Sequence, residues 1–279
     1  MSKSLVFIDD LSKEEIYEIF KLADEFAEGV GQVKPLEGKT VVLFFLESSI
    51  RTRVTFEKGI QELGRRTILF PPEALDKKED IKDVIGYLEN WADMVIVRHK
   101  DLSLIEYMAK HSKIPIINAM TSVNHPCEIL ADLYSLSKRY KDYTEKEVLF
   151  MGAKGNIGNT WKEASELVGF NFTQTCPRGY EIDGASVCYE IDKALVGKDI
   201  ICTDSIPSAA RDDFKGYQIT LERLSYANTD ACLNPCPPFF RGEEVSADAI
   251  DSKYFVGYEF KKSLVEVQQA IICYLLGYE

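Results

Sequence analysis

The first apolar positions of the chain repeat with the period of a helix. Ser12 and Glu15 have the spacing of a capping box. Apolar residues then follow at helical intervals, at Ile16, Ile19, Phe20 and Ala23. This pattern predicts that the chain opens with an amphipathic helix whose apolar face packs against the rest of the protein.

From residue 40 onwards the pattern changes to short apolar runs separated by helical stretches. Runs of this kind are typical of strands that are buried on both faces of a parallel sheet. Strands are predicted at residues 40–46, 67–70, 93–97, 114–118, 147–151, 171–176, 199–203 and 231–233. Their alternation with helices predicts an α/β fold with parallel sheets flanked by helices.

A polar stretch at 138–146 contains no apolar run, and a new strand, a glycine turn and a helix follow it. The chain has 279 residues, and a domain usually has roughly 100 to 200. Two domains are therefore predicted, residues 1–146 and residues 147–279. An amphipathic stretch at 262–276 is long enough to form a last helix that crosses back to the first domain.

The composition narrows the class of partner. The 33 Lys and Arg residues against 45 Asp and Glu residues give a net charge of −12, which repels nucleic acid and favours small molecules. No apolar run approaches the roughly 18 residues that span a bilayer, and residues 1–10 lack a basic leader. No membrane partner is predicted, and the expected location is cytoplasmic. The seven cysteines are scattered, which predicts reduced thiols rather than a disulfide framework.

The stretch from Ser48 to Arg53 joins a predicted buried strand to a helix. Backbone N–H groups at the helix start, the hydroxyls of Ser49 and Thr52, and the guanidinium of Arg51 can converge there on one anion. The spacing therefore predicts a phosphate site. On spacing alone a second interpretation stays open, in which Ser49 only caps the helix while Arg51 and Arg53 are solvated.

Five short motifs occur in order along the chain. The first is Ser49-Ile50-Arg51-Thr52-Arg53. The others are Val97-Arg98-His99; His125-Pro126-Cys127-Glu128 with Ala131-Asp132-Leu133; Asn156-Ile157-Gly158-Asn159; and Asn234-Pro235-Cys236-Pro237-Pro238 before Arg241-Gly242-Glu243-Glu244-Val245. Together they resemble the signature of the aspartate/ornithine carbamoyltransferase family, whose first motif is Ser-Thr-Arg-Thr-Arg. The resemblance covers nearly the whole chain.

This resemblance implies that a carbamoyl group passes from carbamoyl phosphate to the amine of a small amino acid. No cofactor is expected, and metal catalysis has no support in the sequence, because the three histidines are dispersed and Cys232 and Cys236 lack two further ligands nearby. The acceptor attacks directly, in a cleft at the carboxyl ends of the strands. Arg98, His125 and Thr52 are expected to stabilise the negative charge that grows on the carbonyl oxygen. Carbamoyl phosphate is expected to contact Ser49, Ile50, Arg51, Thr52, Lys78, Arg98, His125 and Glu128. His99 and His111 lack a comparable motif and are interpreted as structural.

Residues 74–80 resemble a loop that, in aspartate-type members, reaches into the neighbouring subunit of a trimer and supplies a lysine to the phosphate. Lys78 takes that role in this interpretation, which implies a homotrimer with shared active sites. A solvated loop of mixed charge is the alternative. Ala74 stands where the family pattern has a serine, and the loop is one residue shorter.

Several positions depart from the family pattern. Ile50 replaces a threonine of the phosphate motif, and Glu128 replaces a glutamine. A carboxylate can accept from the carbamoyl NH₂ group but cannot donate, and its charge would lie close to a dianion. Either Glu128 is protonated, or the site differs from that of the family. Asn234 and Pro238 replace a histidine and an arginine. A changed donor, a changed acceptor and a non-catalytic relative therefore all stay open.

The acceptor is expected to contact Asn156, Asn159, Asp204, Ser205 and Cys236. Aspartate-type members carry an arginine at position 156, so Asn156 favours the ornithine type and arginine biosynthesis over aspartate carbamoyltransferase. The Ser-Met-Gly stretch of the ornithine type is absent after Asp204, which leaves an N-acylated ornithine open. The turn around Gly155 and Gly158 also has a dinucleotide-like spacing, so a nicotinamide-dependent oxidoreductase is a further alternative.

Overall fold

The computed structural model describes residues 2–29 and 35–278. The chain divides into two compact units. Unit 1 comprises Met1–Ser135 and Lys262–Glu279, and unit 2 comprises Leu136–Lys261. Each unit is an α/β layer structure with its own parallel sheet, so the α/β fold expected from the sequence is confirmed.

The strands are β1 Val41–Phe44, β2 Thr67–Phe70, β3 Met94–Arg98, β4 Ile116–Met120, β5 Glu147–Met151, β6 Asn171–Thr175, β7 Ser186–Val187, β8 Ile200–Thr203 and β9 Cys232–Pro235. The helices are α1 Lys13–Ala27, α2 Ile50–Glu62, α3 Ile81–Leu88, α4 Leu102–His111, α5 Pro126–Arg139, α6 Asn156–Val168, α7 Ile191–Leu195, α8 Leu221–Leu224, α9 Ala247–Ile250, α10 Gly257–Phe260 and α11 Leu264–Leu275. Short 3₁₀ helices lie at Ile8–Asp10, Pro72–Leu75, Tyr143–Glu145, Ser208–Ala210 and Lys261–Ser263.

The sheet of unit 1 has the order β2-β1-β3-β4, and every pair in it is parallel. The central strand β1 is buried along its whole length, because its residues are all apolar and both faces are covered. The pairing of β3 with β4 shifts register between Val97 and Arg98. This irregularity lies at the end of β3, directly before Arg98, which is the candidate site residue of that strand.

The last helix, α11, packs on α1 and α2, as the sequence predicted. A Cβ placed on Gly59 of α2 would lie 3.2 Å from Cγ of Gln269, so glycine is what allows the close approach. Gln269 Nε2 donates to the Gly59 carbonyl oxygen at 3.1 Å. The hydroxyl of Tyr274 donates to Glu15 Oε1 at 2.7 Å. Unit 1 is therefore closed by the chain's own C-terminal segment.

The sheet of unit 2 has the order β7-β6-β5-β8-β9, and it is also wholly parallel. The glycine-rich turn after β5 leads into α6, which begins at Asn156 and not near Thr160 as the sequence suggested. Gly155 precedes the helix with extended backbone, φ −178°. The two asparagines of the motif therefore lie in the first turn of α6 rather than in the preceding loop.

Most predicted strands are confirmed to within a few residues. The short edge strand β7 was missed, because two residues carry no measurable hydrophobic period. No helix in the described part of the chain is both long and apolar enough to cross a membrane.

The glycines of the β5–α6 turn have a packing role that can be tested. A Cβ on Gly158 would lie 2.6 Å from Cε1 of Phe150 and 2.7 Å from Cδ1 of Ile182. Because Phe150 is fully buried and cannot swing away, we expect Gly158→Ala to lower the free energy of unfolding by about 1 to 3 kcal/mol in urea denaturation.

Gly86 provides the matched control, since it lies on the exposed face of α3 and a Cβ there meets nothing within 4 Å. Gly86→Ala should raise the free energy of unfolding by about 0.5 to 1 kcal/mol. Equal effects of the two substitutions would contradict this account of the turn.

Candidate active site

The predicted site residues fall into two groups, one in each unit. In unit 1, Arg98 ends β3 and donates from Nη1 to two hydroxyls. Ser49 Oγ and Thr52 Oγ1 each accept at 2.9 Å. Both hydroxyl residues are buried, with 4% and 8% of their surface exposed. One guanidinium nitrogen thus joins two motifs that lie far apart in sequence.

Ser49 occupies the N-cap position of α2, but its side chain makes no capping hydrogen bond. The interpretation in which Ser49 only caps the helix is therefore wrong, because the hydroxyl is bound to Arg98 instead. The N–H groups of Arg51 and Thr52 lie in the first helical turn, where no carbonyl of the helix can accept from them. Together with the helix dipole they favour an anion at this end.

The remaining residues of the phosphate motif behave differently from one another. Arg51 is exposed, and among the described residues its guanidinium forms no ion pair. Arg53 turns along the helix, and its Nε donates to Glu57 Oε1 at 2.6 Å. Ile50 is 69% exposed, and its N–H donates to the Ser48 carbonyl oxygen at 2.9 Å. In this geometry Ile50 directs neither a hydroxyl nor an N–H at an anion.

His125 precedes α5 and is held by a buried polar loop. Asn118 Nδ2 donates to Asn124 Oδ1 at 2.7 Å, and the Thr121 hydroxyl donates to the same oxygen at 2.8 Å. Both asparagines also donate to the Val6 carbonyl oxygen at 2.9 Å. Because His125 directly follows this network, its backbone position is fixed. Its imidazole is buried, with only 6% of the residue exposed.

Glu128 lies one helical turn after His125 and faces it. Its Oε2 is 4.0 Å from His125 Nε2, and the residue is 8% exposed. The structure thus brings His125 and Glu128 together, as it brings Arg98, Ser49 and Thr52 together. A carboxylate at this position is well placed to interact with a protonated imidazole or with the amide of a bound substrate.

Lys78 is not joined to these residues. It is exposed, in a segment between the 3₁₀ helix Pro72–Leu75 and α3. Within the described part of the chain it forms no hydrogen bond or ion pair. Nothing in unit 1 itself therefore gives Lys78 a role at the anion site.

In unit 2, the candidate acceptor residues follow three neighbouring parallel strands. Asn156 and Asn159 are half-buried in the first turn of α6, and Asn156 Oδ1 accepts from the Ile157 N–H at 2.9 Å. Asp204 and Ser205 follow β8, which pairs with β5. Cys236 follows β9, and its N–H donates to the Thr203 carbonyl oxygen at 2.9 Å. The carboxyl edge of this sheet therefore collects all five residues.

The carboxyl group of Asp204 is perturbed by its surroundings. Burial raises its pKa to about 6, and the N–H and hydroxyl of Ser205 only partly oppose this shift. The Ser205 N–H donates to Asp204 Oδ1 at 2.8 Å. A carboxylate held out of water in this way gains from a cation such as a substrate ammonium.

Glu244 lies in the last motif, but the sequence pattern gave it no predicted role. Glu244 is fully buried, and its Oε1 accepts from the Phe240 N–H at 2.5 Å. Its Oε2 has no hydrogen-bond partner among the described residues. Burial raises its pKa to about 7, and the charges of Glu243 and Asp204 add to the shift. Two adjacent acidic residues, Glu243 and Glu244, before the apolar Val245 were the one signal that the sequence offered.

Two family models match the chain. The aspartate/ornithine carbamoyltransferase carbamoyl-P binding domain matches residues 3–138. The Asp/Orn binding domain of the same family matches residues 144–275. These two matches cover most of the chain and fall in the same order as the two groups of candidate residues.

The similar proteins agree with the family models. The ornithine carbamoyltransferase of Chromobacterium violaceum is 31% identical over 96% of this chain and 94% of its own length. The crystal structure of ornithine carbamoyltransferase from Burkholderia thailandensis superposes with a TM-score of 0.92 at 27% identity, covering 99% of both chains. The enzyme from Thermus thermophilus gives a TM-score of 0.93 at 25% identity, with the same coverage.

Glu244 makes stability depend on pH in a testable way. Its pKa rises from 4.5 to about 7 on folding, so between these values the folded chain holds a proton that the unfolded chain releases. The stabilisation is complete below about pH 4.5 and is lost as the pH rises through about 7. Relative to Glu244→Gln, the parent should lose up to ~3 kcal/mol of unfolding free energy across this interval.

Urea unfolding at about pH 5 and about pH 8 measures this difference. Glutamine keeps an acceptor for the Phe240 N–H but cannot ionise. Glu243→Gln is the matched control, since Glu243 is only half-buried and pairs with Arg211 at 3.2 Å. Identical pH profiles for the parent and Glu244→Gln would show that Glu244 does not titrate in this range.

Proposed function

We propose that this chain, which belongs to the aspartate/ornithine carbamoyltransferase family, transfers the carbamoyl group of carbamoyl phosphate to the amine of ornithine or of a related, N-acylated amino acid. The observation that supports this most directly is the contact of Arg98 with Ser49 and Thr52 at the start of α2. It places a fixed cation and two hydroxyls beside unsatisfied helix N–H groups.

In the proposed reaction, the acceptor amine attacks the carbonyl carbon of carbamoyl phosphate. The bond between that carbon and the bridging oxygen then breaks, and phosphate leaves with the electron pair. Ser49, Arg51 and Thr52 hold the phosphate through two hydroxyls, a guanidinium and the N–H groups of the first turn of α2. The amine proton passes to the departing phosphate, so no side chain need act as a nucleophile.

Negative charge develops on the carbonyl oxygen as the amine adds. In this proposal Arg98, His125 and Thr52 stabilise it. A guanidinium has five N–H donors in one plane, so an arginine held through one nitrogen can still donate elsewhere. His125 is buried and directly follows the Asn118–Asn124 network, so its donor is offered from a position shielded from water.

The acceptor half of the proposal uses the carboxyl edge of the unit 2 sheet. Asn156 and Asn159 offer amides, and Asp204 offers a carboxylate whose pKa of about 6 reflects its burial. Ser205 and Cys236 lie beyond the carboxyl ends of β8 and β9. An amide at position 156 cannot pair with a second carboxylate as an arginine would, which supports an ornithine-like acceptor over aspartate.

We further propose that the protein is a cytoplasmic homotrimer with shared active sites, acting in arginine biosynthesis. Lys78 supports shared sites, because it is exposed and unpaired in unit 1 but is a residue that the family resemblance assigns to a phosphate. Large apolar side chains of unit 1 are also 40–69% exposed, as expected of surfaces that another copy covers; these are Leu46, Ile50, Val54, Ile68 and Phe70.

A steady-state assay with carbamoyl phosphate and a panel of amines tests the proposed activity, with phosphate release and the carbamoylated product measured together. Ornithine or an N-acylated ornithine should be turned over, and aspartate should not. Arg51→Ala should lower kcat/KM by about 10² to 10³-fold, because the dianion loses its bidentate partner. Arg51→Lys should recover little of the loss.

Arg53→Ala is the matched control, since its guanidinium already pairs with Glu57. It should leave kcat/KM nearly unchanged. If Arg51→Ala binds carbamoyl phosphate as tightly as the parent does in calorimetry, the phosphate assignment is wrong.

Glu128 is the departure that bears most directly on catalysis. Glu128→Gln restores the residue usual in the family and removes a buried carboxyl group that, when ionised, would repel the proposed dianion. We therefore expect carbamoyl phosphate to bind at least as tightly to Glu128→Gln as to the parent, as measured by calorimetry. Loss of turnover with binding retained would instead assign Glu128 a role toward an unfamiliar acceptor.

A further inference from the structure

His99 connects three parts of unit 1 through its backbone and its side chain. His99 directly follows Arg98, and its backbone N–H donates to the Met120 carbonyl oxygen at the end of β4, at 3.1 Å. The N–H of Asp101, at the start of α4, donates to His99 Nδ1 at 3.1 Å. Because Nδ1 accepts, the proton lies on Nε2, which donates to Asp76 Oδ1 at 3.0 Å. Both ring nitrogens are therefore used.

Asp76 begins the segment that carries Lys78. On its N-terminal side Leu75 is buried in the core of unit 1. On the far side Asp80 caps α3, where its Oδ1 accepts from the Lys82 N–H at 2.9 Å. The residues between, at 77–79, are exposed. The bond to His99 is thus the last side-chain contact before the exposed part of the segment.

The contact lies beside an open space rather than in a packed core. A cavity of about 280 Å³ is lined by Asp76, Arg98 and His99, with Glu73 and Met120 at its walls. Asp76 itself keeps 46% of its side chain exposed. Packing alone therefore does not fix the direction in which the segment leaves, and a directional hydrogen bond from a buried ring can do so.

We propose that His99 is a positioning residue, which through Asp76 fixes the Lys78 segment relative to Arg98. One strand end then orients both the arginine for the chain's own site and the lysine that the chain offers to a neighbouring copy. This inference rests on the proposed function, since it takes Lys78 to contact carbamoyl phosphate in an adjacent subunit. In this proposal, the histidine of the Val97-Arg98-His99 motif has a positioning role in addition to its packing in unit 1.

The test compares side chains that keep or lose the donor to Asp76. The amide nitrogen of glutamine reaches the position of Nε2, whereas that of asparagine reaches only the position of Nδ1. The readout is the dissociation constant for carbamoyl phosphate by calorimetry on the full chain, which does not need turnover. We expect Lys78→Ala to weaken binding about tenfold, and Asp76→Ala and His99→Asn to weaken it about three- to tenfold.

His99→Gln should restore binding to within about twofold of the parent. Glu73→Ala is the matched control, because Glu73 is a nearby acid that lines the same cavity, whereas the acid bonded to His99 is Asp76. It should leave the dissociation constant unchanged. A general loss of packing would instead weaken binding in both histidine variants alike.

The deciding measurement is the double variant Asp76→Ala with Lys78→Ala. If Asp76 acts through Lys78, the double variant binds no more weakly than Lys78→Ala alone. Multiplication of the two single effects, or unchanged binding in Asp76→Ala or in Lys78→Ala, would overturn the inference. A parent that binds carbamoyl phosphate but carbamoylates no amine would contradict the proposed function instead, and would leave the coupling of Asp76 to Lys78 to be judged from the binding data.

Discussion

The hydrogen bonds from Arg98 to Ser49 and Thr52 depend on the direction of two strands. β1 and β3 are adjacent and parallel, with Phe44 opposite Val97. Both strands therefore end at the same edge of the sheet, where β1 leads toward the start of α2 and β3 ends at Arg98. An antiparallel pair would send them to opposite ends. On the other side of β3, its pairing with β4 shifts register between Val97 and Arg98, the residue that reaches across to α2.

In unit 2, the carboxyl edge of the sheet carries acidic groups, whereas the corresponding edge in unit 1 carries a guanidinium group and hydroxyls. Its strands β5, β8 and β9 end beside one another, but the titratable groups gathered near them are the carboxyls of Asp204 and Glu244. Burial raises the pKa of both carboxyl groups because it disfavours their charged form. A positively charged ligand beside them would stabilise that charged form. A donor-rich edge in unit 1 suits an anion, whereas an acceptor-rich edge in unit 2 suits an ammonium group. The two substrates of the proposed reaction have these charges.

The sequence predicted what depends on local pattern. Apolar runs located the strands, and the residues next to each strand end supplied the candidate site. The start of α6 was misplaced because a glycine-rich stretch has no apolar period. In the structure the helix begins at Asn156, directly after Gly155, whose backbone is extended. The short strand β7 was missed because an edge pairing of two residues depends on its neighbour β6 and not on its own composition.

Contacts between distant residues could not be predicted in this way. His99 was interpreted as structural, and the structure agrees that it is buried and bonded at both nitrogens. What the sequence could not show is that its partner is Asp76, because that pairing depends on how β3 meets the 3₁₀ helix after β2. Glu244 was quoted within a motif but given no role, since its full burial arises from the fold around it.

The departures from the family pattern concentrate the proposed binding energy in a few groups. Ile50 is exposed, and its N–H is engaged by Ser48, so the first turn of α2 offers fewer donors than a threonine at that position would. Glu128 places a buried carboxyl group beside His125, where its ionised form would repel an anion. An anion at this site must therefore depend chiefly on the guanidinium groups of Arg51 and Arg98. Because Arg51 is exposed, its attraction is screened by salt, while the buried hydroxyls tied to Arg98 keep their geometry at any ionic strength.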